Sequence, residues 1–304
     1  MNNALSHIVG QKRIVALIEA EARSKVMFRH TLLSGPPGLG KTTLARAIAG
    51  LTGSEFVAHT ASRSWDAKKV ESELLGLDIE GYEPGGINKN GKRFCVFIDE
   101  AHLLPSFEPW YEPLESLQVV QSTGGYAWFP DVTFIFATTK LSRLPKPMRD
   151  RFPLKLRVEP YTVDDLTKII RSRSALDEAT AREVAIRSRG TARLAINFAQ
   201  SVERQGMEFF DLSEIDALGL EPLDREYLAV LRRADRAMSL ANLASMLGET
   251  QDTLRDIVEP VLLNLGLIAI SGKGREIVDN SRGARVTSPY SLERGGSSNR
   301  VITR

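Results

Sequence analysis

Residues 35–42 read GPPGLGKT, a G-x-x-x-x-G-K-[ST] pattern between a short apolar stretch, Thr31–Leu33, and the helix-prone segment Thr43–Ala49. A glycine-rich loop that joins a strand to a helix presents backbone N–H groups and a helix N-terminus, and both bind phosphate. The lysine of such a loop reaches the β- and γ-phosphates of a nucleotide, and the hydroxyl after it ligates Mg²⁺. The pattern therefore predicts an ATP-type site formed by Gly35, Pro36, Pro37, Gly38, Leu39, Gly40, Lys41, Thr42 and Thr43.

A second motif, FCVFIDEAH at 94–102, is an apolar run that ends in two acids. A buried strand here would bring Asp99 to a metal ion beside the phosphate-binding loop, and Glu100 would polarise the water that attacks the γ-phosphate. An apolar run before two acids is common by itself, but together with the loop it is typical of a Walker B motif. The pair predicts ATP hydrolysis, with Thr42 and Asp99 as the Mg²⁺ ligands.

Two further segments carry candidate catalytic groups. Residues 131–140, DVTFIFATTK, form another apolar run, and its polar end would lie level with Asp99 if the two strands are neighbours in a parallel sheet. A hydroxyl there could report whether the γ-phosphate is present, with a polar strand end and a local turn as the alternative. Residues 148–153, MRDRFP, place two arginines around an acid; these either form a surface salt bridge or present a cation to the transferring phosphate.

Apolar periodicity predicts an α/β fold. Strand-length runs recur, and three of the intervals between them carry helical patterning, which indicates a parallel sheet covered on both faces. A helical region follows, and then three helices and two strands around a basic turn, the order of a winged helix-turn-helix. The predicted strands are at 29–33, 55–59, 94–98, 132–137, 267–270 and 276–278, and the later helices at 223–233, 239–247 and 250–264.

These patterns divide the chain into a nucleotide-binding core (1–156), a small helical domain (157–217), a winged helix (218–280) and a tail (281–304). The tail is rich in serine, glycine and arginine, a composition typical of disorder.

Composition favours a cytoplasmic protein and excludes several classes. The 304 residues contain one cysteine, Cys95, inside an apolar run, so no disulfide framework is predicted and a reducing compartment fits. No apolar stretch is long enough to span a membrane, and the N-terminus lacks the pattern of a signal peptide. The net charge is +2, and residues 271–304 carry seven basic against three acidic side chains.

The basic turn SGKGR at 271–275 is the candidate DNA contact. Lys273 and Arg275 could bind phosphates there, with a solvated hairpin turn as the alternative. The presumed recognition helix has only Arg255 among several acids, which argues against base-specific binding. A protein that slides along DNA needs phosphate contacts and no sequence code.

The motifs GPPGLGKTTLA, FIDEAH, ATTK, RDRF at 149–152 and RSRGTAR at 187–193 occur in the order of AAA+ ATPases. More narrowly, the chain resembles the RuvB family, the motors of Holliday-junction branch migration. The resemblance continues through residues 219–228 and 240–268, outside the nucleotide site.

This resemblance implies a two-part AAA+ module with a C-terminal winged helix, which assembles as a hexameric ring and translocates duplex DNA. It implies that Thr139 is sensor 1, that Arg151 is a finger into the next subunit's site, and that Arg193 is sensor 2. Ile8 and Val9 resemble the adenine-pocket segment of the family, although ordinary core residues are the alternative.

Two segments depart from the family pattern. Residues 117–129 leave room for only a short hairpin where the family carries a long one that docks RuvA, so docking of a RuvA-type partner is not favoured. Residues 77–93 form an extra segment, either a contact loop or a tolerated surface insertion. Both departures motivate an alternative function, an AAA+ loader that uses ATP as a switch to place a helicase or clamp on DNA.

Overall fold

The computed structural model describes residues 4–24, 27–63, 93–116 and 132–278, together with the backbone of four short strands. The chain forms two compact units. The first contains Met1–Tyr161 and Thr191–Arg193, and the second contains Thr162–Gly190 and the chain from Leu194 onward. The predicted tail, 281–304, lies outside the described residues.

A five-stranded parallel sheet forms the centre of the first unit, in the order β2-β5-β8-β1-β9. Four of its strands match the predicted apolar runs, and the α/β prediction is confirmed. The fifth, β9, has the sequence LKLR, in which buried leucines alternate with exposed basic side chains, as expected of an edge strand. The strands are β1 (Thr31–Ser34), β2 (Glu55–Thr60), β5 (Phe94–Asp99), β8 (Val132–Thr138) and β9 (Leu154–Arg157). The predicted domain boundary at 156 therefore falls inside β9.

Four α-helices accompany this sheet among the described residues: α1 (Lys12–Arg23), α2 (Lys41–Thr52), α3 (Tyr111–Ser116) and α4 (Lys146–Asp150). Short 3₁₀ turns occupy Ala101–Leu103, Glu108–Trp110 and Leu141–Arg143. The aromatic core packs the ring of Trp110 edge-on against Phe136, with ring centroids 5.0 Å apart. Phe152, at the end of the RDRF motif, packs 5.1 Å from Phe136. This packing fixes the end of β8 relative to the chain that precedes β9.

Both segments that depart from the family contain a short antiparallel pair of strands. In 117–129, β6 (Gln118–Val120) pairs with β7 (Tyr126–Trp128), which is the short hairpin that the sequence predicts. In 77–93, β3 (Tyr82–Glu83) pairs with β4 (Ile87–Asn88). Apart from Arg93, the other residues of both segments lie outside the described part of the chain.

The second unit begins with capped helices. Thr162 and Asp177 accept backbone N–H groups at the starts of α5 and α6, which satisfies donors that a helix leaves free. The helical region contains α5 (Val163–Arg171), α6 (Glu178–Arg187), α7 (Ala192–Gln205) and α8 (Glu208–Leu212). No helix in the described residues is both long and apolar enough to cross a membrane.

The winged helix follows with the predicted element order. It contains α9 (Pro222–Ala234), α10 (Leu240–Leu247), α11 (Gln251–Thr253), α12 (Glu259–Asn264), β10 (Ile268–Ser271) and β11 (Gly274–Ile277). The single helix predicted over 250–264 is interrupted by a π-helical turn, Leu254–Val258. Pro260 lies two residues after the end of this turn and cannot donate a helical hydrogen bond, which accounts for the interruption.

Candidate nucleotide and DNA sites

Lys41 lies at the start of α2 with its side chain folded back into the phosphate-binding loop. Its Nζ donates to the carbonyl oxygens of Gly35, at 2.8 Å, and Pro36, at 2.9 Å. Burial lowers the pKa of Lys41, and the nearby charges of Glu100 and Asp99 act in the opposite direction. The ammonium is thus held inside the curve of the loop by two carbonyls that nucleotide phosphates can replace.

The loop is held from outside by residues far along the chain. The carbonyl of Gly38 accepts the backbone N–H of Arg193 at 3.2 Å, and the carbonyl of Leu39 accepts the Tyr161 hydroxyl at 3.1 Å. Gly38 has a φ of 77°, and a Cβ there would lie 2.7 Å from Cγ2 of Thr191, so this position requires glycine. Tyr161 was not among the residues that the sequence motifs identified.

The polar ends of β5 and β8 meet, as predicted. Asp99 ends β5, and its Oδ1 accepts the N–H of Glu100 at 2.9 Å. Glu100 has a φ of 50°, a left-handed conformation that costs energy for a residue with a side chain and that occurs at functional sites. The hydroxyl of Thr139 donates to Glu100 Oε2 at 2.9 Å. The structure therefore groups Asp99, Glu100 and Thr139.

His102 is a further member of this group that sequence analysis missed, although it lies inside the FIDEAH motif. Its Nδ1 is 3.1 Å from Glu100 Oε2 and 3.1 Å from the hydroxyl oxygen of Thr138. The imidazole is 7% exposed, and burial lowers the pKa of His102 while the charge of Glu100 raises it.

Thr42 and Asp99 fit the donor set of a magnesium site. Both supply hard oxygen donors, and Mg²⁺ takes one or two such protein ligands and completes its shell with water and substrate phosphates. Thr42 is the second residue of α2 and Asp99 is the last of β5.

Arg151 has a different set of partners. Its Nη2 pairs with Glu115 Oε2 at 3.0 Å, its Nη1 donates to the Pro147 carbonyl at 3.0 Å, and its Cζ lies 4.1 Å from the ring centroid of Tyr111. The side chain keeps 26% of its surface exposed. The arginine is therefore ordered within its own chain by contacts outside the group around Glu100.

Ile8 and Val9 lie half-buried just before α1. The neighbouring Gln11 anchors this segment: its Nε2 donates to the Glu159 carbonyl at 2.6 Å, and its Oε1 accepts the Glu159 N–H at 3.3 Å. Gln11 thus joins the N-terminal segment to the chain that follows β9, a connection that sequence patterns did not indicate.

The two basic residues of the wing face in different directions. The Lys273 side chain is exposed in the β10–β11 turn. Arg275 instead donates from Nε to Glu259 Oε1 at 2.8 Å, and the same oxygen accepts the Tyr227 hydroxyl at 2.9 Å. Glu259 is buried, so the guanidinium of Arg275 is directed towards the interior of the winged helix. This pairing argues against the sequence-based assignment of Arg275 to DNA phosphate.

Backbone pairing holds the wing in position. Met238 and Arg275 exchange two backbone hydrogen bonds, at 2.9 Å and 2.8 Å, so that the segment before α10 pairs with β11. Gly274 has a φ of 130°, and a Cβ there would lie 2.4 Å from the Met238 carbonyl oxygen. Only glycine permits this close approach.

Comparison with known families gives two matches. Residues 2–158 match the family described as the Holliday junction DNA helicase RuvB P-loop domain, and residues 217–284 match the RuvB C-terminal winged helix domain. The first match includes the phosphate-binding loop, Asp99, Glu100 and Thr139, and the second includes the wing; Tyr161 and Arg193 lie between the two.

Individual relatives agree with these matches. The Holliday junction branch migration complex subunit RuvB of Cutibacterium acnes is 34% identical, with 91% of this chain and 87% of that protein covered. The RuvB subunit of Lactobacillus gasseri is 32% identical, with coverages of 91% and 88%. The structure resembles that of the Thermotoga maritima RuvB Holliday junction branch migration motor, with a TM-score of 0.70, 28% identity, and coverages of 91% and 95%.

Proposed function

The chain belongs to the RuvB family, and on that premise we propose that it is an ATP-driven motor that moves the branch point of Holliday junctions. The observation that carries this proposal is the convergence of Asp99, Glu100 and Thr139 at the end of β5 and β8, in a chain that matches the family through its winged helix. A loader is not favoured, because the relatives that match along 91% of this chain are branch-migration subunits.

The nucleotide site supports the following division of labour for ATP hydrolysis. Lys41 exchanges the carbonyls of Gly35 and Pro36 for the β- and γ-phosphates, and the loop N–H groups surround them. Thr42 and Asp99 would hold Mg²⁺, which neutralises phosphate charge when bound. Glu100 accepts a proton from the attacking water. Thr139 would turn its hydroxyl from Glu100 to the γ-phosphate.

The remaining nucleotide contacts come from further along the chain and from a second subunit. The backbone N–H of Arg193 donates to the Gly38 carbonyl, and its side chain is exposed. We propose that this side chain contacts a phosphate of the nucleotide. Ile8 and Val9 would line the adenine pocket. We propose a hexameric ring in which Arg151 enters the neighbouring site, because its partly exposed guanidinium is held by Glu115, a contact that a phosphate can outcompete.

The winged helix would hold duplex or four-way-junction DNA through its phosphates. Lys273 is the exposed cation of the wing. Arg255, the one basic residue of the acid-rich segment 250–264, pairs with Asp252 at 2.8 Å, which supports binding without base readout.

The short β6–β7 hairpin and the buried cysteine bear on the partner protein and the cellular compartment. The strands β6 and β7 contain three residues each, so we do not propose this hairpin as a docking site for a RuvA-type partner. The cytoplasm is the proposed compartment, since the single cysteine is a buried thiol and both ATP and DNA are available there.

ATP turnover with and without duplex DNA tests the enzyme assignment. Lys41→Ala should abolish nucleotide binding, whereas Glu100→Gln should bind ATP and fail to hydrolyse it. Fluorescent-nucleotide binding and phosphate release measure the two steps separately. Normal turnover by Glu100→Gln would remove Glu100 from the proposed role, and turnover that duplex DNA does not stimulate would argue against a DNA motor.

A further inference from the structure

Two side chains, those of Thr139 and His102, lie against a single oxygen of Glu100. Oε2 accepts the Thr139 hydroxyl at 2.9 Å and lies 3.1 Å from His102 Nδ1. The Glu100 side chain keeps 30% of its surface exposed, whereas that of His102 is 7% exposed. Oε2 is therefore the carboxylate oxygen that these two side chains contact, which makes Oε1 the candidate oxygen for contact with water.

The chemistry of the contact specifies where the imidazole carries its proton. A carboxylate only accepts hydrogen bonds, so a nitrogen at 3.1 Å stabilises it when that nitrogen carries hydrogen. Burial lowers the pKa of His102, which favours the neutral ring. In the neutral ring, a hydrogen on Nδ1 would lie between two oxygens, Glu100 Oε2 and the Thr138 hydroxyl, each 3.1 Å from the nitrogen. Thr138, fully buried at the end of β8, lies 3.1 Å from the same nitrogen and accepts the N–H of Lys140 at 3.0 Å.

We propose that His102 is a positioning residue for Glu100: it holds Oε2 in place after Thr139 has turned to the γ-phosphate, so that Oε1 keeps the attacking water in line. This inference rests on the proposed ATPase function. Thr139 and His102 both contact Glu100 before nucleotide binds. Thr139 must leave Glu100 when it turns to the γ-phosphate, and His102 then remains as the contact. Because His102 is buried and close to Thr138, it stays fixed while Thr139 moves.

A purely structural histidine would behave differently, and the chain offers one for comparison. His30 is a buried residue, and its Nδ1 accepts the N–H of Phe134, which lies earlier than Thr138 in strand β8. Its contacts hold the sheet and do not involve Glu100. His30→Ala should therefore lower stability without changing turnover per folded molecule, whereas a positioning residue should change turnover itself.

The test compares His102→Ala and His102→Asn with His30→Ala, Glu100→Gln and the wild-type chain, all as assembled full-length protein. Asparagine places an amide N–H near the position of Nδ1 and so retains the donor. The measurements are kcat and KM for ATP with saturating duplex DNA, fluorescent-nucleotide affinity, and thermal unfolding.

The proposal predicts that His102→Ala lowers kcat about 10- to 100-fold, as expected when a catalytic group is misplaced, with KM and nucleotide affinity unchanged. His102→Asn should recover most of the lost kcat. If His102→Ala turns over within about twofold of wild type, or if His102→Asn is no better than alanine, the proposal is wrong.

The controls separate this inference from the function on which it rests. A wild-type chain that does not hydrolyse ATP would rule out both the proposed ATPase function and the role of His102. A wild-type chain that is active, with an inactive Glu100→Gln and a normal His102→Ala, would remove only the role of His102. A loss of kcat in His30→Ala equal to that in His102→Ala would show that any damage to the sheet suffices, which also contradicts the proposal.

Discussion

Arg275 and the buried Glu259 form a partly buried ion pair beneath the wing, with Nε 2.8 Å from Oε1 and Nη2 3.3 Å from Oε2. Glu259 begins α12 and Arg275 lies in β11, so the pair joins the helix to the wing. Tyr227, from α9, donates to the same carboxylate. The arginine thus supports the wing from inside and leaves Lys273 as its exposed cation.

Lys273→Ala should therefore change DNA binding and leave stability unchanged, whereas Arg275→Ala should lower stability and leave the salt dependence of DNA binding unchanged. Loss of Lys273 removes one phosphate contact, so the salt dependence of DNA binding should decrease by about one unit of slope, with thermal stability unchanged. Loss of Arg275 leaves Glu259 without its counter-ion and should cost about 3 kcal/mol of stability, with the salt slope retained in the folded fraction. DNA titrations at several salt concentrations and denaturant unfolding distinguish them; a reduced slope in Arg275→Ala would contradict this assignment.

A second buried pair joins the helical region to the winged helix. Arg189 Nη2 lies 3.1 Å from Asp224 Oδ2 and 3.1 Å from Glu221 Oε1, and its Nε donates to the Gly219 carbonyl. Asp224 is 3% exposed, and its carboxylate also accepts the N–H of Glu221 at 3.0 Å. Arg189 follows α6, and Asp224 lies in the first turn of α9.

We expect Arg189→Ala to lower the free energy of unfolding by about 3 kcal/mol, because it leaves a buried carboxylate without a cation. A double-mutant cycle with Asp224→Asn checks the cause. Arg189→Ala should cost much less when Asp224 is already asparagine, which gives a coupling of about 1 kcal/mol or more. Additive effects would show that Arg189 acts by packing alone.

Arg151 gives a prediction about assembly. If its guanidinium completes a neighbouring site, Arg151→Ala should keep nucleotide affinity and lose hydrolysis by about 10³-fold. Mixing it with Glu100→Gln should restore part of the activity, because some sites would then combine a native Glu100 with a native Arg151. Lack of recovery in mixed assemblies, or full-rate hydrolysis by isolated wild-type monomers, would contradict a finger in trans.

His30 gives a prediction about pH. Burial lowers its pKa from 6.5 to about 4, and its Nδ1 accepts a backbone N–H in the folded state, which protonation would prevent. The unfolded chain therefore binds this proton more readily, so stability is complete above about pH 6.5 and decreases as the pH falls towards 4, by about 3 kcal/mol in total.

His30→Asn keeps an acceptor that does not titrate. Its unfolding free energy should fall less than that of the wild type between pH 7 and pH 4.5, as measured by denaturant unfolding. Equal losses in both proteins would assign the acid sensitivity to other groups.

Much of the fold was predictable, because long apolar runs and helical periodicity depend only on local sequence. Four sheet strands, the helices of the winged helix and its hairpin were predicted in this way. The edge strand β9 was missed, because only one of its faces is buried, and Pro153 directly before it resembles a terminator. The π-helical turn before Pro260 was missed because apolar periodicity continues through it.

The sequence predicted the relative placement of the candidate site residues where those residues belong to recognisable motifs. Asp99, Glu100 and Thr139 come together as expected, because neighbouring parallel strands bring their ends to one edge. His102 and Tyr161 make contacts that depend on tertiary register, which no local pattern specifies. The inward orientation of Arg275 depends on Glu259, a residue of α12 that the sequence shows only as one acid among several.

The central claim is that ATP hydrolysis by this chain moves a DNA branch point. The most direct measurement is ATP-dependent dissociation of a synthetic four-way junction by the purified chain, with Glu100→Gln as control and with a RuvA-type protein present or absent. We expect dissociation by the wild-type chain and none by Glu100→Gln. Intact junctions in every arm, despite ATP hydrolysis that DNA stimulates, would contradict it.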